Sequence, residues 1–164
     1  MNLPPILFTD FDGVLNHNEW TCRRIAIRNM NPTDADLIDP ACVARLQRIC
    51  DRTGAAIVIS SAWRALVGRT RSAAALRHHG LTADVLGGTP IIEGTYHGAA
   101  VMTASGRAQE IHAWLYVNAM VDRWAVLDDN HVDVDPSRFV RTNPSIGLTD
   151  ADVERAIAIL TRPA

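Results

Sequence analysis

Three short apolar segments of this chain end in acidic or hydroxyl side chains. They are residues 6–10, which lead into Phe11-Asp12-Gly13, residues 55–59, which lead into Ser60-Ser61, and residues 124–127, which lead into Asp128-Asp129. Helical patterns separate them, so the chain should form repeated βα units around a mainly parallel sheet. Because the carboxyl ends of parallel strands share one edge of a sheet, these polar residues should meet at one site.

Capping residues predict where several helices begin and end. Asp39 followed by Pro40 predicts a helix start, and Thr53-Gly54 predicts its end. Another helix is expected around residues 73–76, a third from Gly106, and a last one capped by Thr149. Further short strands are expected near residues 84–86 and 139–140. The alternation over residues 24–28 predicts one arm of a small hairpin, and residues 91–92 with 96–97 predict a second one.

Composition is that of an ordinary globular chain. The 164 residues are 48% hydrophobic and 21% charged, with a formal net charge of −2. This balance argues against a disordered chain or a membrane protein, and no global basic field indicates a nucleic-acid partner. The arginine clusters at residues 23–28 and 64–77 are compatible either with local phosphate binding or with a solvated face. We expect one domain over residues 1–164.

Cysteine usage points to a reducing compartment. Cys22, Cys42 and Cys50 are odd in number and lack CxxC spacing, so neither a disulfide framework nor a zinc site is indicated. No apolar window approaches the length that spans a bilayer. The expected location is the cytoplasm, and the oligomeric state is left open.

Asp10 and Asp12 carry the strongest chemical signal. Residues i and i+2 of a strand lie on one side, so the two carboxylates should converge, and they repel each other unless a cation binds. Mg²⁺ suits such oxygen ligands. Asp10 is then the candidate nucleophile and Asp12 the candidate general acid and base, while Gly13 allows a sharp turn. The alternative is a turn with two solvated acids.

Other candidates follow the later strands or begin helices. Ser60 is suited to hold a phosphoryl oxygen, and Arg107 to balance the charge of the nucleophile and of the phosphoryl group. Asp128 and Asp129 are candidate metal ligands together with Asp10 and the carbonyl of Asp12, and Asp133 is a more distant one. The candidates for contact with substrate are Ser61, Arg64 and Gly13, of which Arg64 lies shortly after Ser60.

These motifs resemble those of the haloacid dehalogenase (HAD) superfamily of aspartate-nucleophile phosphatases. Asp10-Phe11-Asp12-Gly13-Val14 is similar to the first motif, residues 57–60 to the second, Arg107 to the third and residues 126–129 to the fourth. The resemblance implies a Rossmann-like three-layer sandwich, Mg²⁺ and an aspartyl-phosphate intermediate. It also favours Ser60 over Ser61 and Asp129 as the direct metal ligand, with Asp128 a ligand or a residue that positions metal-bound water.

A closer resemblance is to the small HAD-like domains of Swiss Army Knife RNA repair proteins. DGVLN at 12–16, SSAWR at 60–64, GRAQEI at 106–111 and RTNP at 141–144 carry it. It implies a phosphatase acting on nucleotides or phosphorylated nucleic-acid ends. The inserts after the first and second motifs are too short for a full cap domain. A receiver-like phosphate-accepting signalling domain and a HAD member with other chemistry, such as a dehalogenase, are the alternatives.

Overall fold

A parallel sheet forms the centre of the computed structural model, which describes residues 3–27, 33–92, 96–97 and 101–162. The strands are β1 (Ile6–Thr9), β2 (Ala56–Ile59), β3 (Val85–Gly88), β4 (Tyr96–His97), β5 (Val101–Met102), β6 (Trp124–Asp128) and β7 (Phe139–Arg141). Five of them make the main sheet in the order β3-β2-β1-β6-β7, with every pair parallel. The predicted mainly parallel α/β architecture is confirmed.

The chain also forms five described α-helices, of which α2 to α5 cover the two faces of this sheet. The five are α1 (Asn18–Ile27), α2 (Pro40–Thr53), α3 (Arg69–His78), α4 (Ala104–Val117) and α5 (Asp150–Leu160). Apolar residues of α2, α3 and α5 pack with Leu7, Ile57 and Leu127 on one face. Ala108 and Ile111 of α4 pack with Phe8 and Val58 on the other. Because successive strand residues point to opposite faces, continuous apolar strands build two cores and a three-layer sandwich.

The predicted capping residues occupy their expected positions. Asp39 caps α2 by accepting a hydrogen bond from the amide of Ala41 at 2.8 Å, and Gly54 ends the helix with a φ of 68°. Thr149 caps α5 and forms a reciprocal capping box with Asp152. These local signals position α2 and α5, which pack against each other beside the sheet.

Two predicted hairpins are wrong. Residues 24–27 belong to α1, and Arg28 lies outside the described residues. Five alternating residues do not distinguish a strand from a helix when no partner strand is available. In the second case Tyr96 and His97 pair with Val101–Met102. Ile91 and Ile92 form no strand, and the Ile92 amide donates instead to Glu110 of α4 at 3.2 Å.

The strand register brings the polar residues to one edge of the sheet. Thr9 of β1 pairs with Ile59 of β2 and with Leu127 of β6. The residues that follow these three, Asp10, Ser60 and Asp128, therefore lie side by side at the carboxyl edge of the sheet. Across the described ranges no separate cap domain stands over this edge. No described helix has the length and apolarity needed to cross a membrane.

Candidate active site

Asp10 and Arg107 form a buried ion pair at the carboxyl edge of the sheet. Arg107 Nη2 donates to Asp10 Oδ2 at 2.9 Å, and the Phe11 amide donates to Asp10 Oδ1 at 2.7 Å. Arg107 also donates from Nη1 to the carbonyl of Ser60. The first turn of α4 therefore holds a cation beside Asp10, and both oxygens of this carboxylate have fixed donors.

Asp128 and Asp129 complete an acidic cluster around Asp10. Each of these three residues offers a carboxylate oxygen within 4.8 Å of the other two. Asp128 Oδ2 lies 3.2 Å from Arg107 Nε, while its Oδ1 accepts from the Asn130 amide at 2.9 Å. The predicted convergence of residues far apart in sequence is thus present in the structure.

Burial changes the titration of this cluster. It raises the pKa of Asp10, against the lowering effect of Arg107. Burial and, next, the charge of Asp10 raise the pKa of Asp128 well above its ordinary value. Burial also raises the pKa of Asp129. Three carboxylates share one nearby guanidinium, so the cluster in its ionised form has an excess of negative charge.

This donor set fits a hard divalent cation. Asp10, Asp128 and Asp129 offer only oxygen atoms, and Mg²⁺ prefers carboxylate oxygen and water over nitrogen or sulfur. A cation would offset the negative charge of these three carboxylates, whose pKa values are raised first of all by burial. The side chain of Asp12 lies outside this cluster. Asp133 also lies outside it, since it pairs with His131 and accepts from Ser105.

Ser60 and Ser61 differ in their hydrogen bonding. Ser60 is 1% exposed, and its Oγ has no hydrogen-bond partner within the described part of the chain. Ser61 instead lowers the pKa of Asp10 through a side-chain hydrogen bond, and its Oγ accepts from the Trp63 amide at 3.3 Å. A buried hydroxyl without a partner is costly, so Ser60 is the better candidate to bind a ligand atom. Contact of Ser61 with substrate stays a prediction.

Asp12 is exposed and lies beside the cluster, where two side chains hold one of its oxygens. Trp63 Nε1 donates to Asp12 Oδ1 at 3.0 Å, and Asn16 Nδ2 donates to the same oxygen at 2.6 Å. The carboxylate is thereby held at the open edge of the site, where it can exchange a proton with a substrate or with water.

Position 13 requires a glycine, both because its φ is positive and because a side chain there would collide with Asp129. Its φ is 73°, and a Cβ built there would lie 2.4 Å from Cγ of Asp129. Its carbonyl accepts from Thr142 Oγ1 at 2.9 Å. A side chain at this position would displace Asp129, so Gly13 acts here by allowing the acidic loops to approach. Contact of Gly13 with substrate stays a prediction.

Arg64 has a buried side chain. Its side chain is fully buried in an ion pair with Glu110 of α4, and it also donates to the carbonyls of Ser61, Thr89 and Pro90. The contacts of Arg64 therefore do not support the prediction that it binds a substrate phosphate. Its guanidinium instead joins the loops after β2 and β3 to α4.

Sequence reasoning did not identify Glu110 or the role of Trp63. Glu110 lies between Ala108 and Ile111, which are buried, and a carboxylate on an apolar helix face signals a buried cationic partner. Trp63 follows Ser60-Ser61-Ala62, and from the sequence alone it is taken as a packing residue. Only the fold shows that its indole N–H reaches Asp12, 51 positions earlier in the chain.

One family model matches most of the chain. The family model described as the HAD domain in Swiss Army Knife RNA repair proteins matches residues 6–153. This range includes every residue of the acidic cluster as well as Ser60 and Arg107. Searches of curated proteins and of solved structures gave no match.

Proposed function

Because the chain belongs to the family of HAD domains in Swiss Army Knife RNA repair proteins, we propose that it is a magnesium-dependent phosphomonoesterase with an aspartate nucleophile. Family membership itself indicates a hydrolase of the HAD phosphatase type. The finer proposal is that Asp10 forms an aspartyl-phosphate and that the substrates are nucleotides or phosphorylated nucleic-acid ends. The observation that carries it is the convergence of Asp10, Asp128 and Asp129 around Arg107.

Each residue has a proposed role in this reaction. Asp10 attacks phosphorus in line with the leaving oxygen, so that a bond from its carboxylate to phosphorus forms while the ester bond breaks. Asp12 protonates the leaving oxygen and later accepts a proton from the water that attacks the aspartyl-phosphate. That second attack releases phosphate and restores Asp10. Ser60 offers its unpartnered hydroxyl to a phosphoryl oxygen, and Arg107 balances the charge.

Asp10, Asp128 and Asp129 would hold Mg²⁺, with the main-chain carbonyl of Asp12 as a further ligand. Bound there, the cation would neutralise negative charge on the carboxylates and on the phosphoryl group. Of the two acids in the last motif, we propose Asp129 as the direct ligand, as the resemblance to the family favours, and Asp128 as a further ligand or as a residue that positions metal-bound water.

The family match and Asp12 together favour a phosphatase over a receiver-like signalling domain. A receiver retains its phosphoryl group, whereas an acid two residues after the nucleophile speeds hydrolysis. A dehalogenase would need neither Asp12 nor an acidic metal site. Here Asp12 is held at the edge of the site by two donors, and Asp128 and Asp129 lie beside Asp10.

The test is hydrolysis of p-nitrophenyl phosphate by the purified protein. We expect turnover with Mg²⁺, loss of turnover with EDTA and recovery when Mg²⁺ is restored. Asp10→Asn should lower kcat by at least about a thousandfold, because Asn is close in size to Asp but is not a carboxylate nucleophile. Asp51→Asn, at an exposed position of α2, is the matched control. Wild-type turnover by Asp10→Asn would exclude the proposed nucleophile.

A further inference from the structure

The two oxygens of the Asp12 carboxylate have different surroundings. Both the indole N–H of Trp63, at 3.0 Å, and the side-chain amide of Asn16, at 2.6 Å, donate to Oδ1. Within the described ranges of the chain no donor reaches Oδ2. A carboxyl group held in this way has one oxygen fixed as an acceptor and the other open to exchange a proton.

Of the two donors, Trp63 is the one whose side chain is buried and packed against a neighbouring ring. Its ring packs on that of Phe11 with centroids 5.1 Å apart. Its backbone amide donates to Ser61 Oγ at 3.3 Å, and Ser61 in turn lowers the pKa of Asp10. Trp63 therefore contacts Phe11, which lies between the two aspartates, and holds Asp12 directly. A rigid indole can fix an exposed carboxylate at little cost in side-chain entropy.

We propose that Trp63 is the positioning residue of the general acid, and that it directs the proton of Asp12 to Oδ2. This inference rests on the proposed function. An indole N–H only donates, so its hydrogen bond to Oδ1 persists whether Asp12 is protonated or ionised. In the first half-reaction the proton passes from Oδ2 to the leaving oxygen as its bond to phosphorus breaks. In the second half-reaction Oδ2 takes a proton from the attacking water as the bond from Asp10 to phosphorus breaks.

This role predicts a dependence on the leaving group. A p-nitrophenolate ion leaves without a proton, whereas the alkoxide of a ribose hydroxyl needs one, so only the second substrate depends strongly on the general acid. Trp63→Phe keeps the aromatic ring on Phe11 and removes the N–H. We expect it to lower kcat for a mononucleotide by roughly tenfold or more, and kcat for p-nitrophenyl phosphate under phosphorylation-limited conditions by less than about threefold.

The matched control is Trp20→Phe. Trp20 also donates its indole N–H, to the carbonyl of Asp36 at 3.2 Å, and this hydrogen bond does not involve Asp12. Trp20→Phe should leave the ratio of the two rates unchanged. Asn16→Ala removes the second donor to Oδ1 and should shift the ratio in the same direction as Trp63→Phe. If Trp63→Phe does not fold, Asn16→Ala still tests whether hydrogen bonds to Oδ1 position the Asp12 carboxylate.

A double-mutant cycle separates a positioning role from a structural one. In an Asp12→Asn background the change from Trp63 to Phe should have no further effect on the mononucleotide, because there is no acid left to position. Equal losses on both substrates, or full additivity with Asp12→Asn, would overturn the role of Trp63 while leaving the phosphatase intact. Wild-type activity of Asp10→Asn would instead overturn the proposed function, and this inference with it.

Discussion

At the scale of single residues, burial of the ionised Asp128 carboxylate lowers the stability of the folded protein. It is 1% exposed, next to Asp10, and its pKa is well above that of an ordinary aspartate. At a pH above the ordinary pKa of aspartate, Asp128 therefore binds a proton more often in the folded state than in the unfolded state. The free energy of unfolding of the metal-free protein should fall as pH rises from about 4 through the raised pKa of Asp128.

Replacing this carboxylate tests that cost. Asp128→Asn should raise the free energy of unfolding of the metal-free protein at about pH 7 by about 1 kcal/mol or more, because a neutral amide needs no charge compensation. The same variant should lose most of the stabilisation that added Mg²⁺ gives to the wild type. Urea unfolding with and without Mg²⁺ measures both effects. A less stable metal-free Asp128→Asn would contradict the explanation by charge repulsion.

At the scale of secondary-structure elements, the position of α4 decides whether Arg107 reaches Asp10. Glu110 lies one helical turn after Arg107 and forms a fully buried ion pair with Arg64. Its other oxygen accepts from the Ile92 amide. Glu110 thus joins α4 to the loops that follow β2 and β3.

Truncating Glu110 should loosen this connection. Glu110→Ala leaves Arg64 buried without its carboxylate, and we expect a loss of about 3–5 kcal/mol in the free energy of unfolding. Glu154→Ala is the control, because Glu154 pairs with Arg52 at the exposed surface, and removal of such a pair costs about 1 kcal/mol or less. Urea denaturation of both variants gives the comparison. Equal losses would show that the buried pair does not support α4.

At the scale of the whole molecule, the sheet edge that carries the site has no separate cap domain among the described residues. A cap that enclosed a small substrate would exclude water from the site. The edge that the described residues leave uncovered would admit the end of a polymer, whose remaining nucleotides would lie outside the site. The proposed substrates follow from this access and from the family, whose description refers to RNA repair.

Substrate size gives the corresponding prediction. Oligonucleotides with a 3′- or 5′-phosphate should be dephosphorylated with a kcat/KM at least equal to that of the matching mononucleotides, because contacts outside the site add binding energy. Release of inorganic phosphate from both sets of substrates, at one Mg²⁺ concentration, measures this. A strong preference for mononucleotides would indicate that a small substrate is enclosed, for example by a neighbouring subunit.

Local patterns were sufficient for the strands, the caps and the acidic motifs. Apolar runs predicted the parallel strands, and the β1, β2 and β6 register then brought together residues following each strand. The caps of α2 and α5 are equally local, since Asp39 and Thr149 bond to amides two or three residues away. The failures were the hairpins. Residues 24–27 belong to a helix, and Tyr96 and His97 pair with Val101 and Met102 instead of with Ile91 and Ile92.

What the sequence determined by itself was a parallel sheet with acids and hydroxyls at one edge, because strand periodicity and chain order are local properties. The tertiary structure alone decided which side chains those groups meet. It turned Arg64 inward to Glu110, and it brought the indole of Trp63 to Asp12. Such pairings depend on loop paths and on the packing of α4 against the sheet, and no short-range pattern encodes them.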